Sequence, residues 1–427
     1  VSAARALLPR PPAAARSWLS ARWRGWLIFL SVVGPGIITA NVDNDAGGIT
    51  TYSLAGAHYG QALLWSLIPI TLALILIQEM TSRLGVVSGQ GLSDLIRERF
   101  GVKITFYLMI GLIVTNFGNA VAEFAGIASA MEIFGVSKHV SVPVGGFLVW
   151  WMVVKGTYRS VEKIFLVACL FYISYIVAGV KIAPHWAGLL KATLRPHLEM
   201  KTDFLVMLTG VIGTTIAPWM QFYQQAAIVE KGVRIEEYRY ARWDVIIGTV
   251  MVNVVAFFII VTCAETLFKN GIRIETAKDA ALALAPLAGK YNAYLFAFGL
   301  LNASLFAASI LPLSTAYSVC EGMGWEIGVN KKFTEAPQFY GLYTAIIFIS
   351  MAIVLLPDFP LIKIMYLSQV VNGLVLPFIL VFMLILVNDR ELMGEYANGR
   401  WSNVAGFVCV ATLILLSVVL VLSPLFS

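Results

Sequence analysis

The chain has 427 residues, 59% of them hydrophobic and only 13% charged, with a mean hydropathy of +0.82. Soluble domains carry about 25% charged residues, so the composition excludes a soluble globular domain and implies a polytopic membrane protein. The net charge of +6 is explained by Lys and Arg in the connections between apolar runs and gives no support to a nucleic-acid partner.

Val1 to Arg24 is rich in Ala, Arg and Pro and has no long apolar core. It reads as a disordered basic cytoplasmic arm. Apolar runs of about 20 residues then follow at 25–58 (broken), 60–82, 104–134, 140–156, 160–182, 203–230 (broken), 243–266, 291–319, 337–356, 361–388 and 402–424, eleven spans in all. With the N-terminus inside, most of the 30 Lys and Arg fall on the cytoplasmic face, as the positive-inside rule requires. The expected location is the plasma (inner) membrane.

Span 1 carries the most informative stretch, Gly34 to Tyr59, GPGIITANVDNDAGGITTYSLAGAHY. Carboxylates at mid-membrane are costly and occur where they pair, line a cavity or handle an ion; here there are two, Asp43 and Asp45. Gly47 and Gly48 each weaken a helix by roughly 1 kcal/mol, and Asn and Asp prefer helix ends. The helix is expected to stop near Val42 and restart near Ala46. Irregular backbone survives at that depth only where it is buried in protein or lines a cavity, and transporters build ion sites this way.

Span 2 carries Glu79 and Arg83, four apart and able to share a helix face, and reads as a pair near the cytoplasmic edge. Gly89 to Gly101 reads as an interfacial connector. In span 3, Asn116, Asn119 and Glu123 fall on one stripe. A buried Glu without Lys or Arg in its own span either stays protonated and hydrogen-bonded or helps attract a cation. His185 and His197 lie in the extracellular connection 183–202 and read as solvated. Span 6 is broken by Pro218, which removes a backbone donor. Span 10 carries Gln369 and Asn372, three apart on one face, as ion contacts or as interhelical glue. The four cysteines are too dispersed for a disulfide framework or a zinc site.

Two interrupted spans, the first and the sixth, each open a block of five, over 25–182 and 203–388, with 402–424 as an additional helix. This is the pattern of an inverted repeat with a midplane site between its halves.

At this point the chain resembles the natural resistance-associated macrophage protein (Nramp) family of divalent-metal transporters, from about Trp26 to Val387. The resemblance is carried by Gly34-Pro35-Gly36, the Asp45-Ala46-Gly47-Gly48 turn, GLSDLIRERFG at Gly91 to Gly101, the Pro218 break with its Gln-rich turn, and LSQVVNG at Leu367 to Gly373. It implies an all-α, leucine-transporter-like fold and alternating access. There are departures. The first motif of the family is Asp-Pro-Gly-Asn, and Gly48 stands where the Asn ligand would be. Met-Pro-His of the sixth span reads Ala217-Pro218-Trp219. Ala120 replaces an acid, and no Arg occurs between Thr334 and Asp389. This pattern is similar to the Nramp-related magnesium transporter branch.

The chemistry points the same way. A thioether suits transition metals, whereas carboxylate, carbonyl and water suit Mg, Ca and Mn, and Ala217 removes the thioether. Mg²⁺ keeps several waters and uses one or two carboxylates, and Ala217 and Gly48 are expected to enlarge the site for it. Asp45 would supply the fixed charge, with carbonyls near Val42 and Thr214 and the Gln369 amide, partly through water; the place of Asp43 is open. With Trp219 in the usual His position, transport is expected not to be obligatorily proton-coupled. The expectation is a monomeric carrier with Mg²⁺ or Mn²⁺ as cargo, the bilayer as surroundings and no cofactor. The alternatives are a proton-coupled Mn²⁺ or Fe²⁺ transporter, an organic-solute symporter of the same fold, a channel, and Asp43 and Asp45 acting only as helix caps. No nucleophile and base arrangement suggests an enzyme.

Overall fold

A computed structural model of the protein describes residues 35–155, 169–182, 186–329 and 331–422. The N-terminal arm, the first part of span 1, His185 and the first part of span 5 lie outside the described residues.

Among these residues every regular element is a helix. Span 1 forms α1 (Pro35–Asp43) and α2 (Ala46–Tyr59). The first half of the chain continues with α3 (Leu67–Ser88), α4 (Leu92–Phe100), α5 (Val102–Ile133), α6 (Lys138–Val154) and α7 (Ile173–Lys181). After α8 (Trp186–Leu194), span 6 forms α9 (Thr202–Thr215) and α10 (Pro218–Lys231). The rest is α11 (Tyr238–Thr266), α12 (Asn292–Met323), α13 (Pro337–Val354), α14 (Leu361–Asn388) and α15 (Arg400–Leu422).

Among the described residues eight helices are long and apolar enough to cross a membrane, and they correspond to spans 2, 3 and 6 to 11. The other three expected spans fail that test for separate reasons. Span 1 is split into pieces of 9 and 14 residues, and α6 has 17. Span 5 is described only from Cys169 onward. Span 2 is displaced from its expected position: it runs to Ser88 rather than stopping at 82. The cause is Gly60, whose φ of 58° ends α2 and sends the chain through a turn and a 3₁₀ segment before α3 begins.

α5 lies at the centre, packed most extensively against α12 and α14, while α11 runs beside both α1 and α2 and α9 packs along α14. The last crossing is very close. A side chain on Gly213 would collide with the backbone of Gln369 and Gly373, so only glycine lets α9 and α14 approach this far. The contact brings Gln369 alongside the broken helices. The α4 connector is tied down by Arg97, which bonds Asp94 at 2.8 Å and the Glu321 carbonyl at 2.7 Å. Burial pushes the Asp94 carboxyl up, against the opposing pull of Arg97.

Candidate metal site

α1 ends at Asp43, Asn44 and Asp45 form a bend, and α2 restarts at Ala46. Asp45 is the N-cap of α2, with φ −72° and ψ −173°, and its Oδ1 accepts the Gly48 N–H at 2.6 Å. Glu123 on α5 accepts the Ala46 N–H at 3.2 Å. The first-turn amides of a helix need such partners, and carboxylates complement the positive end of its dipole. Two acids from different elements are thereby drawn to one point, and their carboxyl groups lie within interaction range of each other.

The same arrangement frees oxygens. A regular helix would bond Ala46 N–H to the Val42 carbonyl, and here that N–H is diverted to Glu123. In span 6 the donor that Thr214 would use four residues on belongs to Pro218, which has none. α9 stops at Thr215, Ile216 leaves helical geometry, and Ala217 takes an extended conformation ahead of Pro218. The two breaks are neighbours. A Cβ built on Gly48 would lie 2.5 Å from the Asp43 carbonyl oxygen, 3.2 Å from Thr214 Oγ1 and 3.4 Å from Asp45 Oδ1. Three oxygens from the two breaks therefore converge on the spot where a side chain at position 48 would begin. This corrects the expectation that Gly48 adds open volume: the space at its Cβ position is narrow, and the three atoms nearest to it are oxygens.

Several acceptors around the breaks are buried without a hydrogen-bond partner among the described residues: both carboxylate oxygens of Asp43, Asn44 Oδ1, Glu123 Oε1 and Thr214 Oγ1. A buried polar atom left unsatisfied costs about 1 to 3 kcal/mol, more if charged. Such a concentration, all oxygen and rich in acid, suits a hard cation carrying water. No three His, Cys, Asp or Glu side chains among the described residues form a metal cage, so carbonyls, hydroxyls and water would have to complete any shell. Asp43, unplaced by the sequence, is 2% exposed and within electrostatic reach of Asp45.

Gln369 packs its amide against Gly47 at the start of α2. It is held there by Asn372, which donates to Gln369 Oε1 at 2.8 Å and exchanges two amide hydrogen bonds with Asn119, at 3.0 and 3.1 Å. Asn372 therefore positions Gln369 and joins α14 to α5. Ala217 is buried at the start of α10, and Trp219 is 1% exposed with its ring 5.9 Å from that of Tyr223. His197 is well away in the 195–201 connection, bonded to Glu199.

Three features of the site carried no clear sequence signal. The Tyr52 hydroxyl bonds Thr215 Oγ1 at 2.7 Å and ties α2 to the second break. Tyr172 donates to the Asn44 carbonyl at 2.6 Å and pins the bend. Thr39 donates to Gln224 at 2.9 Å, Gln224 donates to Ser82 at 3.1 Å, and the Gly36 N–H reaches Asp244 at 2.7 Å. Together these bonds hold α1 against α10, α3 and α11. The only available hint was the polar residues in otherwise apolar spans.

Similar proteins agree with this picture. The chain is 27% identical to the divalent metal cation transporter MntH of Pectobacterium carotovorum subsp. carotovorum (strain PC1), over 93% of this chain and 95% of that one. It is 25% identical to the protein of the same name from Bacillus subtilis (strain 168), over 94% of each. In fold it matches the manganese transporter of Eremococcus coleocola with a TM-score of 0.79 at 21% identity, covering 96% of this chain and 88% of that one. The nucleobase-cation-symport-1 family transporter Mhp1 matches with a TM-score of 0.56 at 15% identity, covering 92% and 91%. These relatives are transporters, not enzymes. Residues 36–423 match the family described as natural resistance-associated macrophage protein-like, and the chain with its two broken helices is a member of that family.

Proposed function

We propose that the protein carries divalent cations across the plasma membrane by alternating access, with partly hydrated Mg²⁺ as the preferred cargo and Mn²⁺ also accepted. The observation that carries this reading is the set of oxygens that converges between the two breaks, several of them buried without a partner among the described residues, with Asp45 and Asp43 supplying fixed charge. Mg²⁺ takes oxygen ligands at about 2.0–2.1 Å, keeps several waters and needs only one or two carboxylates. Carbonyls near Val42 and Thr214 and the Gln369 amide would complete the shell, in part through water. Ala217 and Trp219 remove the soft ligand and the residue best suited to titrate near neutrality, so transport is not obligatorily coupled to protons.

In this reading 25–182 and 203–388 are the two five-helix halves, the N-terminus is cytoplasmic and the carrier works as a monomer. The described conformation supports an occluded state: Asp43, Asp45 and Glu123 are each no more than 5% exposed. A cavity of about 580 Å³ lined by Ala57, His58, Asp203 and Arg273 opens at the far end of α2, about 18 Å of helix from Asp45 at 1.5 Å per residue. The α1 contacts close the opposite end. An organic-anion substrate is disfavoured because Asp45 and Glu123 already occupy the α2 amides that would receive its carboxylate.

A Mn²⁺ carrier is the second reading, favoured by the names of the relatives. Mg²⁺ and Mn²⁺ flux into proteoliposomes, each with a metal-sensitive dye inside and a pH dye in parallel, separates the two. Mg²⁺ uptake without accompanying acidification is expected. Saturable Mn²⁺ uptake with no Mg²⁺ uptake, or obligatory acidification, would overturn the proposal.

A further inference from the structure

Away from the breaks, a cavity of about 520 Å³ lies between α3, α11 and α15. It sits at the bundle end that the positive-inside reading assigns to the cytoplasm. Its lining is mixed. Leu72, Ile75, Leu76 and Ala405 supply apolar surface, while Arg242 and Glu395 are among its polar groups. Trp243 and Trp401, next in sequence to the lining residues Arg242 and Ser402, are 48% and 87% exposed, as expected for rings at headgroup level.

The charges in the cavity are unequally committed. Glu79 accepts from Tyr238 and pairs with Arg83 at 3.3 Å, and Arg83 also donates to the Tyr396 carbonyl at 2.9 Å. That cluster is internally neutralised. Arg242 and Glu395, by contrast, are exposed and make no hydrogen bond or ion pair with any described residue, although both line the same cavity. An unpaired cation and an unpaired anion beside an apolar slot, at the membrane surface, match a zwitterion with acyl chains attached.

We propose that this cavity binds one phospholipid with an ethanolamine headgroup, the phosphate on Arg242, the primary ammonium on Glu395 and an acyl chain along Leu72, Ile75 and Leu76. Arg recognises phosphate through two parallel N–H donors, and basic pockets between transmembrane helices on the cytoplasmic side are known lipid sites. Glu395 sets the headgroup preference. It repels a purely anionic lipid, and it accepts N–H bonds from ethanolamine that a choline headgroup cannot offer. The site leaves the α1–α2 and α9–α10 breaks untouched, so it stands whether or not the cargo is Mg²⁺.

The test is native mass spectrometry of the full chain in detergent, with equimolar phosphatidylethanolamine, phosphatidylglycerol and phosphatidylcholine added. The wild type is expected to retain one phosphatidylethanolamine in preference to the other two. Arg242→Ala should lower that retention roughly tenfold, the loss of a charge-assisted hydrogen bond, whereas Arg239→Ala, one turn away and outside the cavity, should not. Glu395→Gln should bring phosphatidylglycerol up to parity. Soluble glycerophosphoethanolamine should fail to compete, because it lacks the chains. Size-exclusion profiles confirm that each variant is folded, which both exposed positions permit. Equal retention of the three lipids by the wild type, unchanged retention in Arg242→Ala, equal loss in Arg239→Ala, or displacement by the soluble headgroup would each overturn the proposal.

Discussion

Replacing Gly48 by alanine is the sharpest test of the oxygen gap, because two opposing effects can be weighed. In an ordinary helix the change stabilises by roughly 0.5–1 kcal/mol. Here the new Cβ would lie 2.5 Å from the Asp43 carbonyl oxygen. That oxygen is backbone, so the bend must move by about 0.9 Å to restore the 3.4 Å of ordinary contact. Overpacking of this kind costs about 1–3 kcal/mol, leaving a net destabilisation of roughly 0–2.5 kcal/mol. The effect on transport should be larger. If the Asp43 carbonyl is one of the carbonyls near Val42 that hold the ion, then, since Mg²⁺ tolerates little departure from about 2.0–2.1 Å, it is lost as a ligand and apparent affinity falls at least roughly tenfold, the equivalent of about 1.4 kcal/mol. Gly111→Ala, on α5 with nothing within 4 Å of its Cβ, is the control and should leave flux unchanged. Flux is measured in proteoliposomes against Mg²⁺ concentration and normalised to folded protein. Wild-type apparent affinity in Gly48→Ala, or a loss no larger than the loss of folded protein, would refute the reasoning.

Three other substitutions probe the charges and the ligand type. Asp45→Asn keeps a good N-cap for Gly48 but removes a unit charge next to a divalent ion, an attraction of roughly 8 kcal/mol at about 4 Å and an effective dielectric of about 20. Tm should stay within a degree or two while flux drops to background, and retained flux would show that Asp45 only caps the helix. Asp43→Asn removes an unpartnered buried acid, so the metal-free protein should gain about 1–3 kcal/mol while the rise in Tm on adding Mg²⁺ shrinks; an unchanged metal-dependent rise in scanning fluorimetry would place Asp43 outside the ion's reach. Ala217→Met introduces a thioether and should raise Mn²⁺ flux relative to Mg²⁺ several-fold, measured by competition in the same vesicles, with an unchanged ratio counting against a role for position 217 in selectivity.

Both breaks were legible in the sequence because their chemistry is local. Asn, Asp and paired glycines oppose helix at 44–48, and Pro218 lacks a donor wherever it sits. The stripe of Asn119 and Glu123 and the pair Gln369 and Asn372 were legible for the same reason, since helical spacing alone puts each set on one face. What joins them was not. The reciprocal amide bonds between Asn119 and Asn372 span 253 positions, and no pattern within either helix announces the partner. Tyr52 and Thr215, Tyr172 and Asn44, and Thr39 and Gln224 are equally remote pairs of common residues. The start of α3 was misplaced because residues 60–66 are nearly as apolar as a span, and only the backbone sign at Gly60 separates them from one.

The division of the site between two breaks also bears on release. Asp43, Asp45 and the Val42 carbonyl belong to span 1, whereas Thr214 and Ala217 belong to span 6 and Gln369 to α14. No single helix holds enough oxygens to chelate a divalent ion, in keeping with the lack of a three-acid cage among the described residues. On the proposed reading, a rigid shift of α1 away from α10 and α11 would draw some ligands apart from the rest and let water replace them. Bonds from α1 to Gln224 and Asp244 would have to break in this shift, whereas α5, α12 and α14 are held together by extensive packing. On that reading a site assembled this way would open by parting its walls, and affinity and release would be set by the same motion of α1.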